Sequence, residues 1–277
     1  MIARFCRFAM LGLCALSGAL PAGAHEMFLK PTRYQLEPGA TAVIELVNGT
    51  FERSDNTIDR DRMRDVTVLG GGSTRHPTVD QWTDEGATTL LSHTIEAAGT
   101  YAIGVSTRPR IIALSVEAFT GYLKHDGVLD ALAAFDAETS PDPVRERYSK
   151  HVRTIVQVGD TRSDDFAKAL DYPVEIVLAE NPTALDTGDR VAFQVLRSGE
   201  PVPGQLVYAS YAGFEGEDGA GDHARAVQMR TDNTGRAAFE LSRAGVWYLT
   251  LIHMEKLADD TDADYESNWA TLTFEVD

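Results

Sequence analysis

Two pairs of matched stretches constrain the fold of this chain more than any other feature. "LEPGATAVIELVNG" (Leu36 to Gly49) has a counterpart in "LDTGDRVAFQVLRSG" (Leu185 to Gly199), and "EAAGTYAIGV" (Glu96 to Val105) matches "SRAGVWYLTL" (Ser242 to Leu251). The first pair is a turn glycine followed by a strand pattern; the second is an Ala-Gly turn, an aromatic and a strand pattern. Gly39 and Gly99 are 60 residues apart, Gly188 and Gly245 57. Two copies of one β-sandwich with the same strand order fit this better than one large barrel.

Between the copies the pattern changes. From Glu117 to about Lys150 the spacing of Leu129, Leu132 and Ala133 is helical, and Pro143 reads as a helix start. The expected fold is therefore mainly β: two immunoglobulin-like β-sandwich domains, 25–116 and 171–277, joined by a short helical connector, 117–170.

Residues 1–24 have the three zones of a secretory signal: Arg4 and Arg7, an apolar run from Phe8 to Leu20, and Ala22-Gly23-Ala24 before the cut. Both cysteines, Cys6 and Cys14, fall inside it, so the exported chain is expected to carry no thiol. A lipid anchor on Cys14 is disfavoured by Leu13 in front of it. The apolar run is too short for a membrane span, and no membrane insertion is expected after cleavage. The expected location is the periplasm. The chain carries 25 basic and 42 acidic residues, a formal charge of −17. Such a balance argues against nucleic acid or an anionic membrane as partner and is compatible with cations.

Cleavage after Ala24 makes His25 the first residue. A terminal histidine offers its α-amine and its ring Nδ1, which close a chelate on one metal; with a third nitrogen they make a planar site suited to Cu(II) or Ni(II). His25-Glu26-Met27-Phe28-Leu29 combines two potential ligands with three apolar residues, so the new terminus is expected to dock as a strand. In "VWYLTLIHMEKL" alternation puts Trp247, Leu249, Leu251 and His253 on one face, and His253 reads equally as a ligand or as a core-edge histidine bonded to backbone. Met254 points the other way. Met27, His125 and His151 are secondary candidates; His76 and His93 have no partner at ligand spacing, and His223 closes the acidic loop "EGEDGAGDH". The acidic loops 215–223 and 258–267 lack the EF-hand pattern and read as solvated loops. No nucleophile elbow, zinc-protease helix or phosphate loop is present, so no catalytic residue is expected.

"AHEMFLKP", "GYLKHDGVLD", "RERYSKHVRTIVQVGD", "VEIVLAENP", "TDNTGRAAFEL", "WYLTLIHM" and "YESNWATLTFEV" together resemble the DUF4198 or nickel-transport-associated (NikM/NikK-like) periplasmic proteins. The resemblance covers essentially the whole mature chain. It implies uptake or handling of nickel, cobalt or a similar divalent metal, with His25 and His253 as the positions carried over. A metal-uptake transporter or TonB-dependent receptor is the implied partner. Two other readings stand beside it. One is a metal-free binding or scaffold module for a transporter, an outer-membrane receptor or a glycan, which calls for an exposed aromatic patch among Trp82, Tyr211, Phe214 and Trp269. The other is a copper monooxygenase built on the N-terminal histidine.

Overall fold

The computed structural model describes residues 26–214 and 225–277. The signal sequence, His25, His223 and the acidic loop 215–223 lie outside the described residues.

Among the described residues, eighteen strands form three sheets. The first contains β1 (Glu26–Pro31), β3 (Ala40–Gly49), β6 (Trp82–Glu85) and β7 (Thr88–Ile95), in the order β1-β3-β7-β6. The third contains β11 (Val174–Leu178), β12 (Arg190–Arg197) and β13 (Glu200–Pro201) in that order, with β16 (Arg236–Glu240) also on β12. A ten-stranded sheet lies between them. It uses β4 (Met63–Gly70), β5 (Ser73–Arg75), β8 (Gly99–Thr107), β10 (Val144–Val158), β14 (Leu206–Tyr211), β15 (Val227–Arg230), β17 (Gly245–Lys256) and β18 (Tyr265–Val276). Its order is β15-β14-β17-β18-β10-β8-β4-β5, and the short strands β2 (Gln35–Leu36) and β9 (Arg110–Leu114) also pair with β10.

This order resolves into the two copies that the sequence repeat predicts. In the first, β1-β3-β7 faces β5-β4-β8-β10; in the second, β11-β12-β16 faces β15-β14-β17-β18. Both have the A-B-E and C′-C-F-G arrangement of an immunoglobulin-like sandwich. The matched stretches occupy equivalent strands: β3 with β12, and β8 with β17. The fold is mainly β and built of β-sandwiches, as expected. The copies, however, are fused. Their last strands, β10 and β18, pair in parallel from Glu146↔Tyr265 to Thr154↔Thr273, making one sheet of the two halves.

That parallel pairing decides which face each copy covers. Paired residues share a face, and successive residues alternate. Val152 and Val156 of β10 belong to the first core with Leu29, Ile44 and Ile103, and their face continues along β18 through Thr271 and Thr273. Leu272 and Phe274 of β18 belong to the second core with Phe193, Trp247 and Leu249, on the face that carries Arg153 and Ile155 in β10. The two partner sheets thus cover opposite faces of the shared sheet. Strand β1 also reaches across the fusion, since Met27 and Leu29 carbonyls accept from the Thr271 and Thr273 hydroxyls at 2.7 and 2.6 Å.

The connector differs from the expectation. Helices α1 (Val116–His125) and α2 (Leu129–Ala134) are present, with Ser115 capping α1 through Ala118 N–H at 3.2 Å. The helix expected from Pro143 is instead the fifteen-residue strand β10. Its pattern misleads because both faces are buried and both carry polar groups. Glu146, Lys150, His151 and Arg153 are all buried, each tied to a partner in a neighbouring element.

Candidate functional site

The helices lie on the same face of the shared sheet as the first partner sheet. Phe119, Tyr122 and Leu123 of α1 pack on Val144, Tyr265 and Trp269, whereas β1 and β3 cover the neighbouring stretch. A seam is left between these layers. The start of β1, the end of α1 and the middle of β10 meet in it.

Lys150 lies near the seam's centre, 5% exposed. Its ammonium is 3.2 Å from Asn48 Oδ1 and 5.5 Å from the centre of the Trp269 ring. Burial, then the nearby Arg62, lowers its pKa to about 7. Glu146, two pleats before it on the same face, accepts hydrogen bonds from Tyr122 Oη at 3.1 Å and from Ser267 Oγ. Burial raises the Glu146 pKa to about 7 against those bonds. The Tyr122 and Trp269 rings stack 6.0 Å apart, and Trp269 Nε1 donates to Ser267 Oγ at 3.2 Å.

Toward the start of β1 the seam becomes acidic. Glu26 and Asp126 are both buried enough that desolvation, the largest cause in each case, raises their pKa values. Arg225 lies 3.8 Å from Glu26 and donates to the Asp126 carbonyl at 3.1 Å. Asp126 Oδ1 is 2.9 Å from Nδ1 of His125. Gly127 makes the close approach possible. It has φ +70°, and a Cβ there would come within 2.5 Å of Tyr208 Oη.

Of the described sequence candidates, His253 and Met254 line one cavity of about 200 Å³ together with Glu26 and Asp126, whereas Met27, His125 and His151 lie elsewhere. Met27 is buried in the first core and lines the seam. Met254 lies on the helix side, packed against the α1 cluster. His125 ends α1 with its side chain 57% exposed. His151 is buried on the opposite face, and both its ring nitrogens are engaged: Nδ1 with Ser106 Oγ at 2.9 Å, Nε2 with Asn268 Oδ1 at 3.0 Å. Burial lowers its pKa to about 4, so it is a neutral structural link.

His253 shares the face of Trp247, Leu249 and Leu251 as alternation predicts, and its register partner is Asn268. Its Nδ1 is 2.9 Å from Gln205 Oε1, and its Nε2 is 3.6 Å from Glu255 Oε1 with no hydrogen-bond partner. That carboxylate is already forked by Arg197. The face is the second core's, whereas β1 packs on the first core's face. The His253 ring thus lies on the second core's face and β1 on the first's, yet His253, Glu26 and Asp126 line one cavity of about 200 Å³.

Among the described residues, no three His, Cys, Asp or Glu side chains converge as a metal cluster. Of the residues named for an aromatic patch, Trp82 and Trp269 are buried, and Tyr211 packs edge-on against Trp247 and Phe214 at 5.0 Å. In the loop 258–267, Asp260 is bound to Arg147 at 2.7 Å and Asp264 to Arg145 at 3.2 Å. These carboxylates fasten the loop to β10. No helix among the described residues is long and apolar enough to cross a membrane.

Residue-level reading of the sequence missed Glu26, Asp126, Glu146 and Lys150 as a group. The available signal was the charged alternation of "VRERYSKHV", with Glu146, Tyr148 and Lys150 on one face.

A fused pair of immunoglobulin-like sandwiches with a polar seam at their junction defines the class of protein. The DUF4198 family model, described as a domain of unknown function, matches residues 22–255, and the chain belongs to that family. No curated protein sequence matches it. Among solved structures it is similar to the D0-D1 domain of intimin, at 9% identity and a TM-score of 0.20 over 91% of this chain and 98% of that one. It is also similar to fibronectin(III)-like modules of Clostridium thermocellum CbhA, at 11% identity and TM-score 0.21 over 90% and 93% of the two chains. Trypsin-activated alpha-2-macroglobulin from Escherichia coli gives 11% identity and TM-score 0.23 over 92% of this chain and 16% of that one. At these scores the likenesses carry no functional meaning.

Proposed function

We propose that this protein is an exported, periplasmic binding protein for a divalent transition metal, nickel, cobalt or copper, and that signal cleavage after Ala24 completes its site. The observation that carries this reading is the burial of β1 from its first described residue. Glu26 is partly buried between Arg225 and Thr250, Met27 to Leu29 are in the core, and His25 precedes Glu26 by one peptide bond. The seam fits a cation: Glu26 and Asp126 are both held above the ordinary carboxylate range by desolvation. A cation added beside them would restore their charged forms.

In this reading the amine and imidazole of the cleaved His25 supply two nitrogens, and Asp126, oriented by His125, supplies the neighbouring carboxylate. His253 lines the same cavity as Glu26 and Asp126, but its Nδ1 faces Gln205 on the second core's side, and this reading does not use it as a ligand. The protein captures the ion and delivers it to a metal-uptake transporter or TonB-dependent receptor. It does no chemistry on it.

Calorimetric titration of the correctly processed chain with Cu(II), Ni(II) and Co(II), beside a form carrying one extra N-terminal residue, tests this. The processed form should bind one equivalent, and the extended form at least about tenfold more weakly, since the amine leaves the chelate. Equal affinity in both forms, or no binding in either, would reject the reading.

A further inference from the structure

At the end of the seam away from Asp126, the loop 56–62, β9, α1 and β10 enclose a cavity of about 210 Å³. Arg62 lines it. This side chain is unusual for its position. The residue is only 7% exposed, lies against the Tyr148 ring at 5.1 Å and donates to Tyr148 Oη at 3.3 Å. It pairs with no carboxylate among the described residues. A buried arginine is ordinarily matched by an anion, because desolvating its charge unpaired is costly.

We infer that this cavity binds a small organic carboxylate, with Arg62 as the counter-ion of its carboxyl group. The charge of the walls sets the class. Arg62 offers a planar fork suited to a carboxylate, and Asn48 and Asn56 add neutral amide groups. Lys150 is committed to Asn48 and the Trp269 ring. Glu146 lies on the floor and Asp59 at the mouth, where Arg110 holds it at 3.4 Å. One net positive charge with carboxylates nearby favours a monoanion over a phosphate or sulfate dianion.

The remaining walls select the body of the ligand. Trp269 and Tyr122 form one aromatic side, and Met27, Ile58, Ile112 and Leu114 the apolar remainder. The volume lies below the roughly 300–1,000 Å³ typical of drug-sized pockets. It suits a molecule of about one ring or a short branched chain. The site is separate from the metal reading and does not depend on it.

The test uses the mature chain in EDTA, so that no metal contributes, with benzoate as the probe and tryptophan fluorescence and Tm as readouts. Benzoate should bind saturably and raise Tm; benzyl alcohol, phosphate and sulfate should not. Arg62→Gln should weaken benzoate by about tenfold or more, the loss of a charge-assisted pair. Ile112→Trp, which fills the cavity while leaving Arg62 in the chain, should abolish binding and covers the case in which Arg62→Gln does not fold. Absence of saturable benzoate binding to the wild type would overturn the inference. So would phosphate or sulfate binding as tightly as benzoate, folded Arg62→Gln retaining full affinity, or folded Ile112→Trp retaining it.

Discussion

Lys150 and Trp269 are register partners across the parallel pair that fuses the two sandwiches, and the ammonium of one lies 5.5 Å from the ring centre of the other. The junction of the two copies is thus also the floor of the seam. Fold and site are one construction.

The first consequence concerns Glu146. Its folded-state pKa, about 7, is above the unfolded value of 4.5. The folded state therefore holds the proton between those values while the unfolded chain has lost it. Its contribution is fully present below about pH 4.5 and is lost as pH rises through 7. The shift corresponds to on the order of 3 kcal/mol. Glu146→Gln, which keeps an acceptor for Tyr122 and Ser267, should remove that decline and be more stable than wild type at pH 8. Urea unfolding of both proteins from pH 4 to pH 8 checks it.

Arg153 ties the two copies together on the other face. It donates to the Phe166 and Lys168 carbonyls and lies 3.6 Å from Glu175 of β11, with both side chains 4% exposed. Breaking a buried pair from one side leaves an uncompensated charge. Arg153→Met should destabilise by about 3–5 kcal/mol, and Arg153→Met with Glu175→Gln, which removes the stranded charge and keeps an acceptor for the Leu170 or Tyr172 N–H, should recover part of that loss. Denaturant midpoints of the single and double variants give the comparison.

Gly127 holds the turn after α1 at φ +70°, where a Cβ would collide with Tyr208 Oη and Arg225 Nη1. Gly127→Ala should cost about 1 kcal/mol or more from backbone conformation alone. The collision should also move Asp126 and weaken metal binding. Thermal unfolding and metal titration of the same preparation should show both losses.

His253 and Asp126 separate two arrangements of the metal ligands. With the His253 ring on the second core's face and its Nδ1 against Gln205, His253→Ala should change metal affinity less than about twofold, whereas Asp126→Asn should weaken it about tenfold or more, the scale of one charged ligand interaction. Titration of both variants in the processed form decides between them. A large loss in His253→Ala alone would restore the histidine pair implied by the family resemblance.

The repeat was legible because a turn glycine and the alternation after it are local: Gly39 and Gly188 introduce equivalent strands, as do Gly99 and Gly245. The strand Val144–Val158 was not. Its buried charged groups find partners in other elements, Glu146 in Tyr122 and Ser267, Arg153 in Glu175 and the Phe166 and Lys168 carbonyls, which no local pattern records. For the same reason the face of His253 was legible within its own strand, but its relation to β1 was not. That relation follows from the parallel pairing of β10 with β18, which turns the second copy over relative to the first.

The most direct measurement is anomalous diffraction from crystals of the processed chain loaded with Ni(II) or Cu(II). The expected result is one metal peak at bonding distance from the His25 amine and ring nitrogen, on the Asp126 side of the shared sheet. A peak at His253 with none at His25, or no ordered metal in crystals of the processed form, would contradict it.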